Sequence, residues 1–193
     1  MERQPAKVVV PKDVRHLLTH VERRRHAHRN RVMILLSFKA GLRACEMSGL
    51  DWSMVLASNG RVSDQLAIAK TIAKRGSARR IPLHCDLKGA LKRYHDIEGR
   101  PRTGAILRSQ RGQRLTPASV VNWFGATYQE LGLIGCSSHS GRRTFITTSA
   151  RVLARTGGSL RDIQELAGHR ALTTTERYIE GDRAAQRRLI NLI

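Results

Sequence analysis

The sequence predicts a mainly α-helical fold carrying one small antiparallel β-hairpin. Three observations predict it. Apolar residues recur at helical spacing through most of the chain, one stretch switches to short β-like runs around a turn, and aromatic residues are scarce. Hydrophobic residues make up 40% of the 193 and charged residues 26%, which provides enough apolar surface for a packed core and excludes a disordered chain. Aromatics at 4% argue against a stacked-ring platform for single strands and favour aliphatic helix packing.

Taken in order, Pro11 opens a helix over 11–23 with Val14, Leu17, Leu18 and Val21 on one face, running into Arg23, Arg24 and Arg25. A second helix is predicted from Asn30, a good N-cap, through Val32, Met33, Leu35, Leu36 and Phe38 to Gly41, which suits a C-terminal stop. Between Val62 and Leu83 the runs 66–69 and 80–83 flank the turn-prone 74–77, predicting a hairpin with a basic tip. Helical spacing returns over 86–97, and again after Thr116 and Pro117, a cap followed by proline. Two more helices are expected at 140–155 and 159–167. The latter opens on Ser159 with Asp162 three residues on, a capping box with Asp in place of Glu. An amphipathic tail ends in Leu189, Ile190, Asn191, Leu192 and Ile193, apolar enough to want a partner surface. With no repeat or low-complexity tract, a single domain over 1–182 and a tail over 183–193 are expected.

Thirty-five Lys and Arg against 15 Asp and Glu leave +20, and a folded chain that basic meets a polyanion, nucleic acid by default. Residues 1–50 carry 11 basic against 4 acidic and 101–150 carry 6 against 1, so the folded body itself, and no separate tail, presents the positive face. Cys45, Cys85 and Cys136 are isolated, which fits neither a disulfide framework nor a cysteine-based zinc site. A cytoplasmic protein without a membrane segment is expected, because no secretory h-region or long apolar run occurs.

Chemistry on a phosphodiester requires positive charge on the phosphoryl oxygens, from a metal or from fixed cationic donors. The carboxylates form no cluster suited to magnesium or zinc, and His16 with His20 lack the Glu of a metalloprotease helix, so no metal is expected. Nor is there a phosphate-cradling glycine loop. Cationic chemistry remains. Arg43 stands in Gly-Leu-Arg with Glu46 three residues on, which alone is an ordinary ion pair. His139 and Arg142 are three apart and would share one helical face; His169 follows Ala167 and Gly168; Tyr178 comes nine residues after His169.

In that order these segments resemble the tyrosine recombinase (phage integrase) family, over roughly residues 12–182. The resemblance implies a recombinase catalytic-domain fold and a site-specific DNA recombinase or integrase that works through a 3′-phosphotyrosyl intermediate. It makes Arg43, Lys74, His139, Arg142, His169 and Tyr178 the catalytic set, with Glu46 orienting Arg43. The family places its hairpin lysine eight residues before the Pro of the following strand, and that resemblance selects Lys74, eight residues before Pro82, over Lys70. The chemistry of each side chain suits its implied role. Arginines fork onto phosphate oxygens, a phenol ionising near pH 10 needs nearby positive charge and a base, and a lysine can protonate the departing 5′-oxygen. Arg23, Arg24, Arg25, Arg75, Arg79 and Arg143 are read as further phosphate contacts.

Two departures stand out. Most members carry an N-terminal core-binding domain, whereas the first motif residue here is already Arg43. The chain is expected to lack that domain, as short fimbrial phase-switch recombinases do, or to be a fragment. Gly141 and Arg143 stand where the family often has Leu and His. The resemblance further implies double-stranded DNA with inverted half-sites as substrate, a homotetramer on DNA from a protein that is monomeric when free, tail residues packing on a neighbouring protomer, accessory DNA-bending proteins, and a nucleoid location when bound. A non-catalytic DNA-binding regulator and a type IB topoisomerase-like enzyme are the alternative readings.

Overall fold

The computed structural model describes residues 6–73 and 77–178, with 187, 190 and 191. The helices are α1 (Pro11–Glu22), α2 (Ala27–Lys39), α3 (Ala44–Gly49), α4 (Cys85–Ile97), α5 (Pro117–Glu130), α6 (Ser140–Thr156), α7 (Leu160–Ala167) and α8 (Leu172–Glu176), with a 3-10 turn at Trp52–Met54. The strands β1 (Gln65–Ile68) and β2 (Arg79–Pro82) pair antiparallel with Leu66 opposite Ile81. The predicted class, mainly α with one small antiparallel sheet, is therefore the class found.

α2 is the centre. Val32, Met33, Ile34, Leu35 and Leu36 are all buried, and a helix apolar on every side must be surrounded. It is, by α1, α4 and α6. Each of these buried side chains contributes about 1.5–3 kcal/mol relative to exposure. α2 starts three residues before the predicted N-cap, after His26 in the left-handed region (φ 60°). Asn30 is instead a buried interior residue. Its amide donates to the Arg25 carbonyl (3.0 Å) and its oxygen accepts from Arg29 (2.8 Å), which stitches the α1–α2 turn together. Two predicted caps are present. Thr116 Oγ1 accepts from the Ser119 N–H (3.1 Å), and the Asp162 carboxylate accepts from the Ser159 N–H (2.6 Å). Among the described residues no helix is long and apolar enough to cross a membrane.

Two glycines set the approach of α6 to α2. Gly41 ends α2 with φ +62°, and a Cβ there would lie 2.4 Å from the Phe145 ring. A Cβ on Gly141 would lie 2.1 Å from Ser37 Oγ, so the small residue that departs from the family pattern lets the start of α6 seat against α2. The apolar interior divides in two. A large cluster runs from Val9 to Tyr128, and a small one comprises Ile146, Ile163 and Ala167 with Phe145, Leu153, Leu160 and Tyr178 against it.

Candidate active site

Arg43 is the N-cap of α3, and its backbone N–H donates to Glu46 Oε2 (2.9 Å), the carboxylate half of a capping box. The Arg43 guanidinium donates to Glu46 Oε1 at 3.2 Å. The glutamate is fully buried, and burial pushes its pKa up. The hydrogen bonds and charge of Arg79, then those of Arg43, outweigh this and hold it below the ordinary carboxylate range. Arg79, expected among the phosphate contacts, is instead turned inward. Its guanidinium forks onto both Glu46 oxygens (2.8 and 3.0 Å) and its Nε donates to the Leu166 carbonyl (2.9 Å).

Arg142, one turn into α6, is buried and bridges two distant segments. One Nη donates to the Gly41 carbonyl (2.6 Å) and the other to the Ala167 carbonyl (2.7 Å). Arg79 and Arg142 thus cap the last two carbonyls of α7, groups that a helix end leaves without partners and with partial negative charge. Burial, then the nearby Arg43 charge, lowers the Arg142 pKa to about 10 against the upward pull of Glu46 and Tyr178, which leaves it cationic at neutral pH.

Gly168 (φ +65°) stops α7 and turns the chain back, and His169 is held there from several sides. Its N–H donates to the Gln164 carbonyl (3.0 Å), the Gln164 amide donates to its carbonyl (3.0 Å), and its Nδ1 lies 2.9 Å from Thr175 Oγ1 of α8. Burial, then Arg142, Arg43 and Arg79, lowers its pKa to about 4, so the ring is neutral at pH 7. The Tyr178 ring stacks on this imidazole, with centroids 5.6 Å apart and planes at 22°. Arg143 lies over the same ring, 5.9 Å from its centroid, and Thr147 Oγ1 donates to the Tyr178 carbonyl (3.3 Å). His139 is the exposed N-cap of α6, one turn before Arg142.

Arg43, Arg142, His169 and Tyr178 therefore converge, with Glu46 and Arg79 beneath them. Lys74 and Arg75 lie outside the described residues. So does the tail except for residues 187, 190 and 191, of which Ile190 is exposed. Arg23, Arg24 and Arg25 are exposed at the end of α1, and Arg24 pairs with Glu130 (2.6 Å). Sequence reasoning missed Thr175 and Gln164, whose polarity gives no sign of which group they hold. Among the described residues one group could hold a metal, His84, Cys85 and Asp86. These are consecutive and exposed, and Lys39 Nζ lies 3.3 Å from His84 Nε2, which places a cation beside them.

A helical body with a two-stranded hairpin and this order of segments is the architecture of tyrosine recombinase catalytic domains. The model described as "Phage integrase family" matches residues 7–184, and the chain belongs to that family. It is similar to the tyrosine recombinase XerC of Pelobacter propionicus (29% identity over 162 residues, 83% of this chain and 50% of that protein). It is likewise similar to XerC of Azotobacter vinelandii (31% over 159 residues, 81% and 49%). The chain thus spans about half the length of the curated relatives it matches. Among solved structures it shares the fold of the Tn1549 transposon integrase in complex with a circular intermediate DNA (TM-score 0.75, 18% identity, 100% of this chain and 67% of that one). It also shares that of XerA recombinase (TM-score 0.74, 18% identity, 100% and 66%).

Proposed function

We propose that this chain is the catalytic part of a site-specific DNA recombinase or integrase that cleaves and rejoins DNA through a 3′-phosphotyrosyl bond, using arginines in place of a metal and no nucleotide cofactor. One observation carries the reading. Of the three tyrosines, Tyr94 and Tyr128 are buried in the large core, where burial pushes the Tyr94 pKa up to about 12 and that of Tyr128 well above its ordinary value. Tyr178 alone stands beside His169 and close enough to Arg142 to perturb it.

In this reading Arg43 and Arg142 bind the nonbridging oxygens of the scissile phosphate. The Tyr178 oxygen attacks phosphorus, its proton passes to His139, and the bond from phosphorus to the 5′-oxygen breaks as Lys74 protonates that oxygen. With the Thr175 hydroxyl donating to Nδ1, neutral His169 keeps an Nε2–H for a phosphate oxygen. Attack of a different 5′-hydroxyl on the phosphotyrosine reverses these transfers and conserves the bond energy. Arg23, Arg25, Arg75 and Arg143 contribute phosphate contacts, and binding weakens steeply with salt. Residues 1–182 act as the catalytic unit, and the 183–193 tail packs on a neighbouring protomer in a tetramer on inverted half-sites, with DNA-bending proteins as accessories. The protein is cytoplasmic and part of a mobile element.

The test is incubation with nicked duplexes of randomised sequence, from which a cleaved strand cannot religate. A covalent protein–DNA adduct is expected, and it disappears in Tyr178→Phe. No adduct from any sequence would favour the non-catalytic regulator, and relaxation of supercoiled plasmid without sequence preference would favour the topoisomerase.

A further inference from the structure

We infer that Arg79 is a positioning residue for the proposed strand transfer. By taking both oxygens of the buried Glu46 carboxylate it leaves Arg43 available to the phosphate, and by the same side chain it fixes the end of α7 that carries His169. The inference rests on the functional reading above.

A carboxylate removed from water needs a countercharge in close hydrogen-bonded contact. Glu46 has two candidates, and they are unequal. Arg79 gives it two N–H groups at 2.8 and 3.0 Å, the fork geometry that matches a carboxylate. Arg43 gives one side-chain N–H at 3.2 Å. The Arg79 side chain is 6% exposed and that of Arg43 is 17% exposed, so Arg79 is the committed counterion and Arg43 the one that reaches the open side. Among the described residues no other side-chain or backbone acceptor takes the remaining Arg43 donors. Without Arg79, the nearest cation to a buried negative charge would be Arg43, drawn onto Glu46 and away from the phosphate.

The second contact extends the role across the site. Nε of Arg79 donates to the Leu166 carbonyl, three residues before His169. The guanidinium also lies so close to Gly168 that a Cβ there would be 2.7 Å from Nη1. One side chain therefore sets the charge state around Arg43 and the turn that presents His169. Lysine could supply the charge, but its single ammonium cannot reproduce both the planar fork onto Glu46 and the Nε–H that reaches the Leu166 carbonyl.

The experiment uses the full chain and the duplex sequence recovered from wild-type adducts. Cleavage is measured in single turnover at saturating DNA, and affinity separately on an uncleavable duplex. Arg79→Met is expected to slow adduct formation by about 100-fold, the scale of losing one arginine's electrostatic contribution, with Kd changed by less than about threefold. Adding Glu46→Gln to it removes the charge that captures Arg43 and is expected to restore at least about tenfold of the loss. Arg79→Lys, which keeps the buried pair charged and guards against a misfolded Met variant, is expected to slow cleavage by about tenfold at unchanged Kd. Wild-type rates in either single variant would overturn the inference. So would affinity falling in step with rate, the mark of a phosphate contact, or a double variant no faster than Arg79→Met, the mark of a purely structural role. These outcomes leave the functional reading intact. Absence of any wild-type adduct would overturn that reading and this inference with it.

Discussion

The two apolar clusters differ in what they are built to do. The large one, centred on α2, is an extensive apolar interior, aliphatic around a helix whose middle is buried on every side and aromatic at Trp52, Phe124 and Tyr128. The small one, among α6, α7 and α8, has three fully enclosed hydrophobic residues with partly buried ones such as Phe145 and Leu153 against them, and polar contacts reinforce it: Arg142 to Gly41 and Ala167, Arg79 to Leu166, His169 to Thr175. The site lies on the seam. Arg43 and Glu46 sit against the larger cluster, whereas His169 and Tyr178 sit against the smaller one, and Arg142 and Arg79, proposed to serve the chemistry, also join the two. Stability comes mainly from the first region. In the proposed reaction, geometry at the phosphate depends on the second, whose fully buried apolar core is small and offers less resistance to local opening.

Breaking the join should have the largest effect. Arg142→Lys cannot span the Gly41 and Ala167 carbonyls and also fork a phosphate. Adduct formation is expected to fall by about 100-fold or more, with about 1.5–3 kcal/mol lost in chemical denaturation. The clusters can then be compared directly. Leu36→Ala is expected to cost about 2–5 kcal/mol of global stability while folded molecules still cleave. Ile163→Ala should cost less in global unfolding but raise amide hydrogen exchange across α7 and α8 and slow cleavage. An equal response of both regions to either substitution would show that the molecule is one cooperative core.

Gly141→Ala tests the packing of α6 on α2. The added methyl meets Ser37 Oγ, and a cost of about 1–3 kcal/mol is expected, partly relieved by Ser37→Gly in the same chain. The effect that vanishes at neutral pH is the titration of His169. Its folded pKa of about 4 lies below the 6.5 of a free imidazole, so the unfolded chain takes up the proton first as pH falls. The stability this group contributes is present above about pH 6.5 and is lost as pH falls towards 4. An NMR titration should place the ring midpoint near 4, and His169→Asn should flatten that part of the stability profile. A midpoint near 6.5 would mean that the ring is solvated and outside the cationic cluster.

Most of the fold was legible because helix faces declare themselves by spacing. Leu87, Leu91 and Tyr94 mark α4 and all three are buried, and Thr116 and Ser159 mark the starts of α5 and α7. α2 began early because Asn30, a good cap by type, is drawn into the helix by its bonds to Arg25 and Arg29. α3 and α8 span six and five residues, too few for a period to show. Within the site, the segments of Arg43, Arg142, His169 and Tyr178 could be read from motif order. The inward turn of Arg79 could not be, because a basic strand looks alike whether its cations meet a distant buried carboxylate or water. That Glu46 would be the carboxylate is a fact of packing between α3 and β2, 33 residues apart.

The central claim is that Tyr178, alone of the tyrosines, becomes joined to DNA in this cationic pocket. Proteolysis of the adduct formed by the unaltered protein, followed by mass spectrometry of the nucleotide-bearing peptide, tests it most directly. The account predicts the nucleotide on Tyr178. A linkage at Tyr94, at Tyr128 or at a serine would contradict it.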